Sequence, residues 1–136
     1  MESAFSDAAI EYRWLLNRNY SNSAALKLVG DKHQLPRDEI LVLFRGIAPS
    51  SDAIRRRKLI STGCRGLELF VDGYNQILTV MHYLSSRPVF LADDGFLRDA
   101  GASHGRIFRP ELFLLAMKLF AESLVQSGPV SVSAFF

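Results

Sequence analysis

The second half of the chain alternates between short apolar runs and longer amphipathic segments, and few folds satisfy this pattern. From Gly66 onward, "LELFVD", "RPVFLAD" and "PVSVSAFF" have the composition of buried strands. Between them, "YNQILTVMHYLSS" and "PELFLLAMKLFAESLVQS" carry apolar residues at helical spacing. A strand–helix–strand–helix–strand order requires crossovers that set parallel strands side by side. The sequence therefore predicts an α/β domain over residues 61–136, with parallel strands at 66–72, 87–92 and 129–135 and helices at 74–84 and 110–127.

Residues 1–60 predict a small helical N-terminal part instead. Three segments have helical spacing, and Gly30 and Gly46 suit the ends of the second and third helix. Three short helices are compatible with a helix-turn-helix, but none of them is a basic recognition helix, which favours a packed bundle. We expect the following side chains to be buried in this part or against the α/β domain: Trp14, Leu15, Leu26, Leu41 and Phe44.

Composition narrows the class of protein. About half of the 136 residues are apolar, which is enough for a hydrophobic core. The single Cys64 excludes an internal disulfide and a zinc site built from several cysteines. No run reaches the roughly 18 apolar residues of a membrane span, and acidic residues interrupt the N-terminus where a signal peptide would be apolar. The sequence therefore predicts a cytoplasmic protein with no membrane partner, and its net charge of +2 is too small to establish nucleic-acid binding.

Acidic residues follow two of the predicted strands. Asp72 ends the first strand, Asp93 and Asp94 end the second, and Asp99 comes shortly afterwards. Ligands of parallel sheets bind beyond the carboxyl ends of the strands, and clustered carboxylates are relieved by a divalent cation. The pattern predicts that these four acids hold Mg²⁺ or Mn²⁺, with Asn75 orienting Asp72 or a bound water. Alternatively, each "DG" pair is simply a turn and each Asp a helix cap.

Basic residues could contact a phosphate backbone near these acids. Arg55, Arg56, Arg57 and Lys58 are consecutive, so they cannot all lie on one face of a helix. They are either a solvated turn or a phosphate-contacting edge. His104 lies in a glycine-flanked segment, where it could contact phosphate or transfer a proton. The predicted nucleic-acid-binding residues are Arg55, Arg56, Arg57, Lys58, Arg98, His104, Arg106 and Arg109.

Two family resemblances accompany these patterns. The stretch "LFVDGYN" resembles the first motif of the PIN-like nuclease superfamily, particularly its NYN branch. The wider chain resembles an uncharacterised prokaryotic family, domain of unknown function 434, in "YRWLLNRNYSNSAALKLVGDKHQL", "LFRGI", "RRRKL", "VDGYNQILTV", "RPVFLADDGFLRD" and "HGRIFRP". Together they imply a PIN-like parallel sheet flanked by helices, preceded by the helical part.

The PIN-like resemblance also implies roles for single residues. Asp72 matches the metal-binding aspartate of the first strand, and Asn75 matches the polar residue after it. Asp93, Asp94 and Asp99 are similar to the central acidic cluster of these nucleases. PIN-like nucleases usually carry another acid after a later strand, and "SVSAFF" has none. The resemblance therefore implies an α/β domain that is incomplete at its C-terminus, or one completed by a partner protomer.

Two functions follow as hypotheses. In the first, the protein is a metal-dependent nuclease that uses Mg²⁺ or Mn²⁺ to activate water for attack on an RNA phosphodiester. The catalytic residues would be Asp72, Asn75, Asp93, Asp94 and Asp99. In the second, it is a non-catalytic PIN-like scaffold that binds nucleic acid or protein. A homo-oligomer is compatible with both.

Overall fold

The computed structural model describes residues 2–100 and 109–136 and shows a mixed α/β protein, as the sequence predicts. Its helices are α1 Glu2–Leu16, α2 Asn22–His33, α3 Arg37–Gly46, α4 Ser50–Arg57, α5 Gly73–Leu84 and α6 Pro110–Ser127. Its strands are β1 Glu68–Asp72, β2 Val89–Leu91, β3 Leu97–Asp99 and β4 Ser131–Phe135. None of the described helices is long and apolar enough to cross a membrane.

The chain divides into two compact units. Unit 1 comprises Met1–Ile60 together with Phe90–Ala100, and unit 2 comprises Ser61–Val89 together with Gly101–Phe136. Each unit has a hydrophobic cluster of its own.

The core of unit 1 lies between α1, α2 and α3. Tyr12 is fully buried at its centre, and Leu43 of α3 and Val29 of α2 pack into the same cluster. Ser21 starts α2 by accepting a hydrogen bond from the backbone nitrogen of Ala24 at 3.3 Å, which supplies one of the missing partners of the first turn. The remaining buried members of the cluster are Ala8, Leu15, Leu16, Ala25 and Leu35.

Two of the predicted core residues of unit 1 are exposed. Trp14 is 51% exposed and Phe44 is 49% exposed, so the prediction that they are buried is wrong. Tyr12 and Leu43 take the core positions instead. The buried side of α1 carries Tyr12, two residues before Trp14, and the buried side of α3 carries Leu43, one residue before Phe44.

Phe90–Ala100 form a short hairpin within unit 1. β2 pairs with β3, and the connection Ala92–Phe96 is far too short for a parallel crossover. Within the connection the Ala92 amide donates to the carbonyl oxygen of Phe96 at 2.9 Å. Gly95 has a φ of 85°, so the second "DG" is a true turn that requires a glycine.

The sheet predicted from three parallel strands is therefore only partly correct. Residues 87–92 were expected beside 66–72, but β2 pairs with β3 in a separate two-stranded sheet. A local hairpin closes a much shorter loop than a crossover does, which favours this pairing once a turn follows the strand directly. A PIN-like parallel sheet is not confirmed, because each described sheet has only two strands.

The first and third predicted strands, 66–72 and 129–135, are neighbouring parallel strands in unit 2, as expected. β1 runs parallel to β4, with Glu68 opposite Ser131 and Asp72 opposite Phe135. The predicted helices 74–84 and 110–127 correspond to α5 and α6, which pack on each other through Ile77, Met81 and Ala116. Further partly buried side chains of both helices surround these three: Leu78, Val80, Leu84, Leu112, Phe113, Met117 and Phe120.

Gly73, at the start of α5, is a glycine because another part of unit 2 comes close to it. A Cβ at this position would lie 2.8 Å from the ring of Phe136 and 3.1 Å from the backbone oxygen of Phe135. Its φ is not positive, so the turn from β1 into α5 does not itself require glycine. The close approach of the end of β4 explains the residue.

Candidate functional site

Asp94 is the most buried acid of the chain among the described residues, and it lies between two arginines. It is 1% exposed. Its Oδ2 accepts hydrogen bonds from Arg98 at 2.6 Å and from Arg56 at 3.2 Å. Its Oδ1 accepts from the backbone nitrogen of Phe96 at 3.2 Å, which closes the hairpin turn. Both carboxylate oxygens are therefore used within unit 1.

Asp93 and Asp99 also face arginines. Asp93 Oδ2 accepts from Arg13 at 3.1 Å and from the backbone nitrogen of Ala48 at 3.2 Å. Asp99, 5% exposed, receives both nitrogens of Arg45, at 3.3 and 3.2 Å, in a fork-shaped pair. Charge-assisted bonds of this kind are the strongest hydrogen bonds in proteins. The hairpin is thus fastened to α1, α3 and α4.

The pKa of Asp94 reflects this setting. Burial raises it, but the hydrogen bonds from Phe96, Arg98 and Arg56 outweigh burial, and the resulting pKa is lower than the ordinary value. A cluster of unneutralised carboxylates would have raised the pKa of one of its members. For Asp94 the pKa is lowered instead, because the Phe96 amide and two guanidinium groups donate hydrogen bonds to its carboxylate.

The three acids of unit 1 fit guanidinium partners better than a divalent cation. A metal ion would have to displace the arginines from Asp94 and Asp99, and it would meet their positive charge at short range. No group of three or more His, Cys, Asp or Glu in the described residues is arranged to hold a metal ion. The metal site proposed from the sequence stays a prediction.

The arginines that hold the acids are themselves partly exposed to solvent. We call Arg13, Arg45, Arg56, Arg57 and Arg98 the arginine face. The side chains of Arg13 and Arg56 are 42% and 41% exposed, against 13% and 2% for the acids that they hold. Arg57 Nε donates to the backbone oxygen of Asp93 at 2.6 Å. The guanidinium-bearing side chains are thus closer to solvent than the carboxylates that they bind.

The other predicted basic residues have different positions. Arg55 and Lys58 are exposed in and just after α4, and Arg55 pairs with Asp52, one turn away at 3.2 Å. Arg109 precedes α6 in unit 2. His104 and Arg106 lie outside the described residues.

Asp72 and Asn75 form a separate arrangement in unit 2. Asp72 ends β1 and caps α5: its Oδ1 accepts from the backbone nitrogen of Asn75 at 3.2 Å, and its Oδ2 accepts from the Asn75 side chain at 2.6 Å. Both residues are exposed. The Asn75 side chain thus bonds the Asp72 carboxylate, and the role of the two residues in a metal site stays a prediction. Because Asp72 belongs to unit 2 and the other acids to unit 1, their predicted convergence is untested.

Two family models match the chain, and the boundary between their matches lies near residue 60. The model of a family described as "Domain of unknown function (DUF5616)" matches residues 61–136, which is more than half of the chain. The chain belongs to the DUF5616 family. Preceding the DUF5616 match, the model of a family described as "Protein of unknown function (DUF434)" matches residues 4–58. The resemblance to family 434 is thus confirmed for the helical part, whereas none of these matches shows a PIN-like or NYN relationship.

One curated relative is similar to most of the chain. An uncharacterized protein of Methanocaldococcus jannaschii is 24% identical over 116 residues, which cover 84% of this chain and 56% of the relative. The chain thus spans about half the length of the curated relative it matches. No solved structure is a significant match.

The ion-pair network connects the DUF434 and DUF5616 matches. Its acids lie in the DUF5616 match, whereas Arg13, Arg45 and Arg56 lie in the DUF434 match. The sequence did not reveal Arg13 and Arg45 as partners of the acids, since 80 and 54 positions separate the paired residues. No local pattern reports a pairing over such a distance.

Proposed function

We propose that the protein binds nucleic acid and that the arginine face of unit 1 contacts the phosphate backbone. The observation that carries the proposal is the arrangement of charge. Five arginines surround three aspartates, and the arginine side chains are partly exposed whereas the carboxylates of Asp94 and Asp99 are buried. This layering presents a positive surface to solvent in spite of the modest net charge of the chain.

The acids give these arginines a fixed orientation. A guanidinium group has five N–H donors, and the bonds of Arg13 and Arg56 to their aspartates use one donor each. The outward donors suit phosphate oxygens, which arginine binds in the same planar geometry as a carboxylate. An oriented arginine loses less side-chain entropy on binding than a mobile one. Contacts of this kind position a nucleic acid without reading its sequence.

The first prediction concerns the edge of the arginine face. Arg55→Ala combined with Lys58→Ala removes two exposed charges of this region that hold no part of the hairpin. We expect RNA affinity to fall about tenfold at low salt, and the slope of log affinity against log salt to decrease by about 2, because two phosphate contacts disappear. Fluorescence anisotropy of a labelled RNA measures both quantities.

The control removes the same charge elsewhere. Lys27→Ala combined with Lys118→Ala takes two exposed lysines from α2 and α6. We expect affinity close to that of the unaltered protein. Equal losses in both double variants would show that only net charge matters, and the preference for the region around α4 would then be refuted.

A second candidate function is metal-dependent cleavage of RNA, with Asp72 as a ligand of the metal ion. The observation that favours it is the position of Asp72, an exposed carboxylate at the carboxyl end of a strand in a parallel pair. A bound Mg²⁺ or Mn²⁺ would supply an activated water there. Alternatively, Asp72 serves only as the N-cap of α5, the role that it has in the structure.

The second prediction separates these two roles of Asp72. Asparagine is as good a helix N-cap as aspartate, so Asp72→Asn should leave the free energy of unfolding within about 0.5 kcal/mol of its original value. If Asp72 holds a metal ion, Mn²⁺-dependent cleavage of a labelled RNA should fall at least a hundredfold, as expected when a metal ligand loses its charge. Asp31→Asn, on the exposed surface of α2, should retain full activity. Intact RNA under all conditions would eliminate the nuclease hypothesis and leave nucleic-acid binding.

A further inference from the structure

Trp14 is the only tryptophan of the chain, and it lies exposed on α1. It is 51% exposed, and Ile10, one turn earlier, is 64% exposed. The guanidinium carbon of Arg18 lies 3.5 Å from the centre of the tryptophan ring, and Arg18 Nη1 donates to the Trp14 carbonyl at 3.3 Å. We call Ile10, Trp14 and Arg18 the α1 stripe. A tryptophan in this position contributes little to the core of unit 1.

The α1 stripe shares its helix with one member of the arginine face, Arg13. Arg13, next to Trp14 in the chain, belongs to the arginine face and bonds Asp93. Asn17 and Ser50, the first residue of α4, exchange two hydrogen bonds, of 3.0 and 2.8 Å. The side of α1 that neighbours the stripe is therefore fastened to α4 and to the hairpin. Trp14 and Arg13 therefore lie on neighbouring sides of the same helix, about 100° apart around its axis, and the Arg13 side is held in place.

We propose that Trp14 stacks on a base of single-stranded nucleic acid whose phosphates lie on the arginine face. The proposal rests on the proposed function and specifies the substrate class. Single strands are bound by basic surfaces that follow the backbone and by aromatic rings on which unpaired bases stack. Arg18 covers one face of the ring and adds a cation–π contact there, which holds the indole in a fixed plane. A duplex offers no free base face, so it could use only the arginines.

The composition of the α1 stripe favours this partner over a protein. A docking surface for an apolar helix needs a contiguous apolar patch. Trp14 is instead flanked by Arg13 and Arg18, so that a partner must combine a flat apolar ring with negative charge. Unpaired nucleotides have both.

The unique tryptophan makes the test specific, since all indole emission comes from Trp14. We expect single-stranded RNA of about ten nucleotides to quench this emission, and a duplex of the same length to leave it nearly unchanged. Trp14→Leu should weaken binding of the single strand about tenfold by anisotropy, since loss of one stacked base costs of that order. Trp14→Phe should restore most of it. Tyr83→Leu, which removes a 72% exposed aromatic ring from α5, should have no effect.

Each result separates this inference from the proposed function. Binding of single-stranded RNA with unchanged emission and an unaltered Trp14→Leu affinity would overturn the role of Trp14, while nucleic-acid binding would stand. Equal quenching by the duplex would overturn the preference for single strands. Absence of binding by either RNA would overturn both proposals. The emission titration uses the unaltered protein, so it decides the question even if a Trp14 variant does not fold.

Discussion

Replacing Asp94 by asparagine is expected to lower the free energy of unfolding by about 2–4 kcal/mol at neutral pH. Removing one partner of a buried ion pair leaves the other without its counter-charge, and this is more costly than the loss of a surface pair. Asparagine retains the shape and can still accept the Phe96 amide, so the change isolates the charge that holds Arg56 and Arg98. Urea unfolding of the two proteins measures the difference.

The same variant should show a specific pH dependence. The pKa of Asp94 in the folded protein lies below its ordinary value of 3.8, so between these two values the unfolded chain binds a proton that the folded chain does not. Stability from this carboxylate is therefore complete above about pH 5 and is lost as pH falls through the folded pKa. The difference between the original protein and Asp94→Asn should stay constant from pH 7 to 5 and shrink below pH 3.8.

A surface pair serves as the control for Asp94→Asn. Asp52 bonds Arg55 across one turn of α4, and both side chains are well exposed, at 40% and 67%. Asp52→Asn should change the free energy of unfolding by less than about 1 kcal/mol, as measured for exposed pairs. Equal costs for Asp94→Asn and Asp52→Asn would mean that Asp94 does not fasten the hairpin, and the arginine face would lose its supporting charges.

What the sequence predicted well was local or rested on a strong apolar period. The helices α5 and α6 and the parallel pairing of β1 with β4 followed from runs of apolar residues whose length and spacing differ between strands and helices. Asn75 beside Asp72 followed from a separation of three residues at a helix start. Such contacts are fixed by the few residues between the partners.

What the sequence did not predict was which partner a segment pairs with and which side of a helix is buried. The segment 87–92 was expected in a sheet with β1, and only the turn at Gly95 shows why it folds onto β3. Trp14 is exposed because α1 buries the side that carries Tyr12. The helical spacing of apolar residues alone does not decide which of these two sides is buried. The pairing of the acids with Arg13 and Arg45 could not be recognised from the sequence either, because 80 and 54 positions separate the paired residues.

Replacing Ile77 by alanine is expected to lower the free energy of unfolding of unit 2 by about 3 kcal/mol. Ile77 is 1% exposed between α5 and α6, and truncation of a buried isoleucine loses the transfer free energy of its methyl and methylene groups and leaves a cavity. Among the described residues of this cluster only Ile77, Met81 and Ala116 are fully buried, so Ile77 makes up a large share of the buried core of unit 2. With a total stability of roughly 5–15 kcal/mol typical of a domain, the loss is a large fraction.

Tyr83→Ala, on the exposed side of the same helix, removes a larger side chain and should cost less than about 1 kcal/mol. Hydrogen exchange of the α5 and α6 amides measures the effect within unit 2, and similar losses in the two variants would show that the α5–α6 contact is not its core.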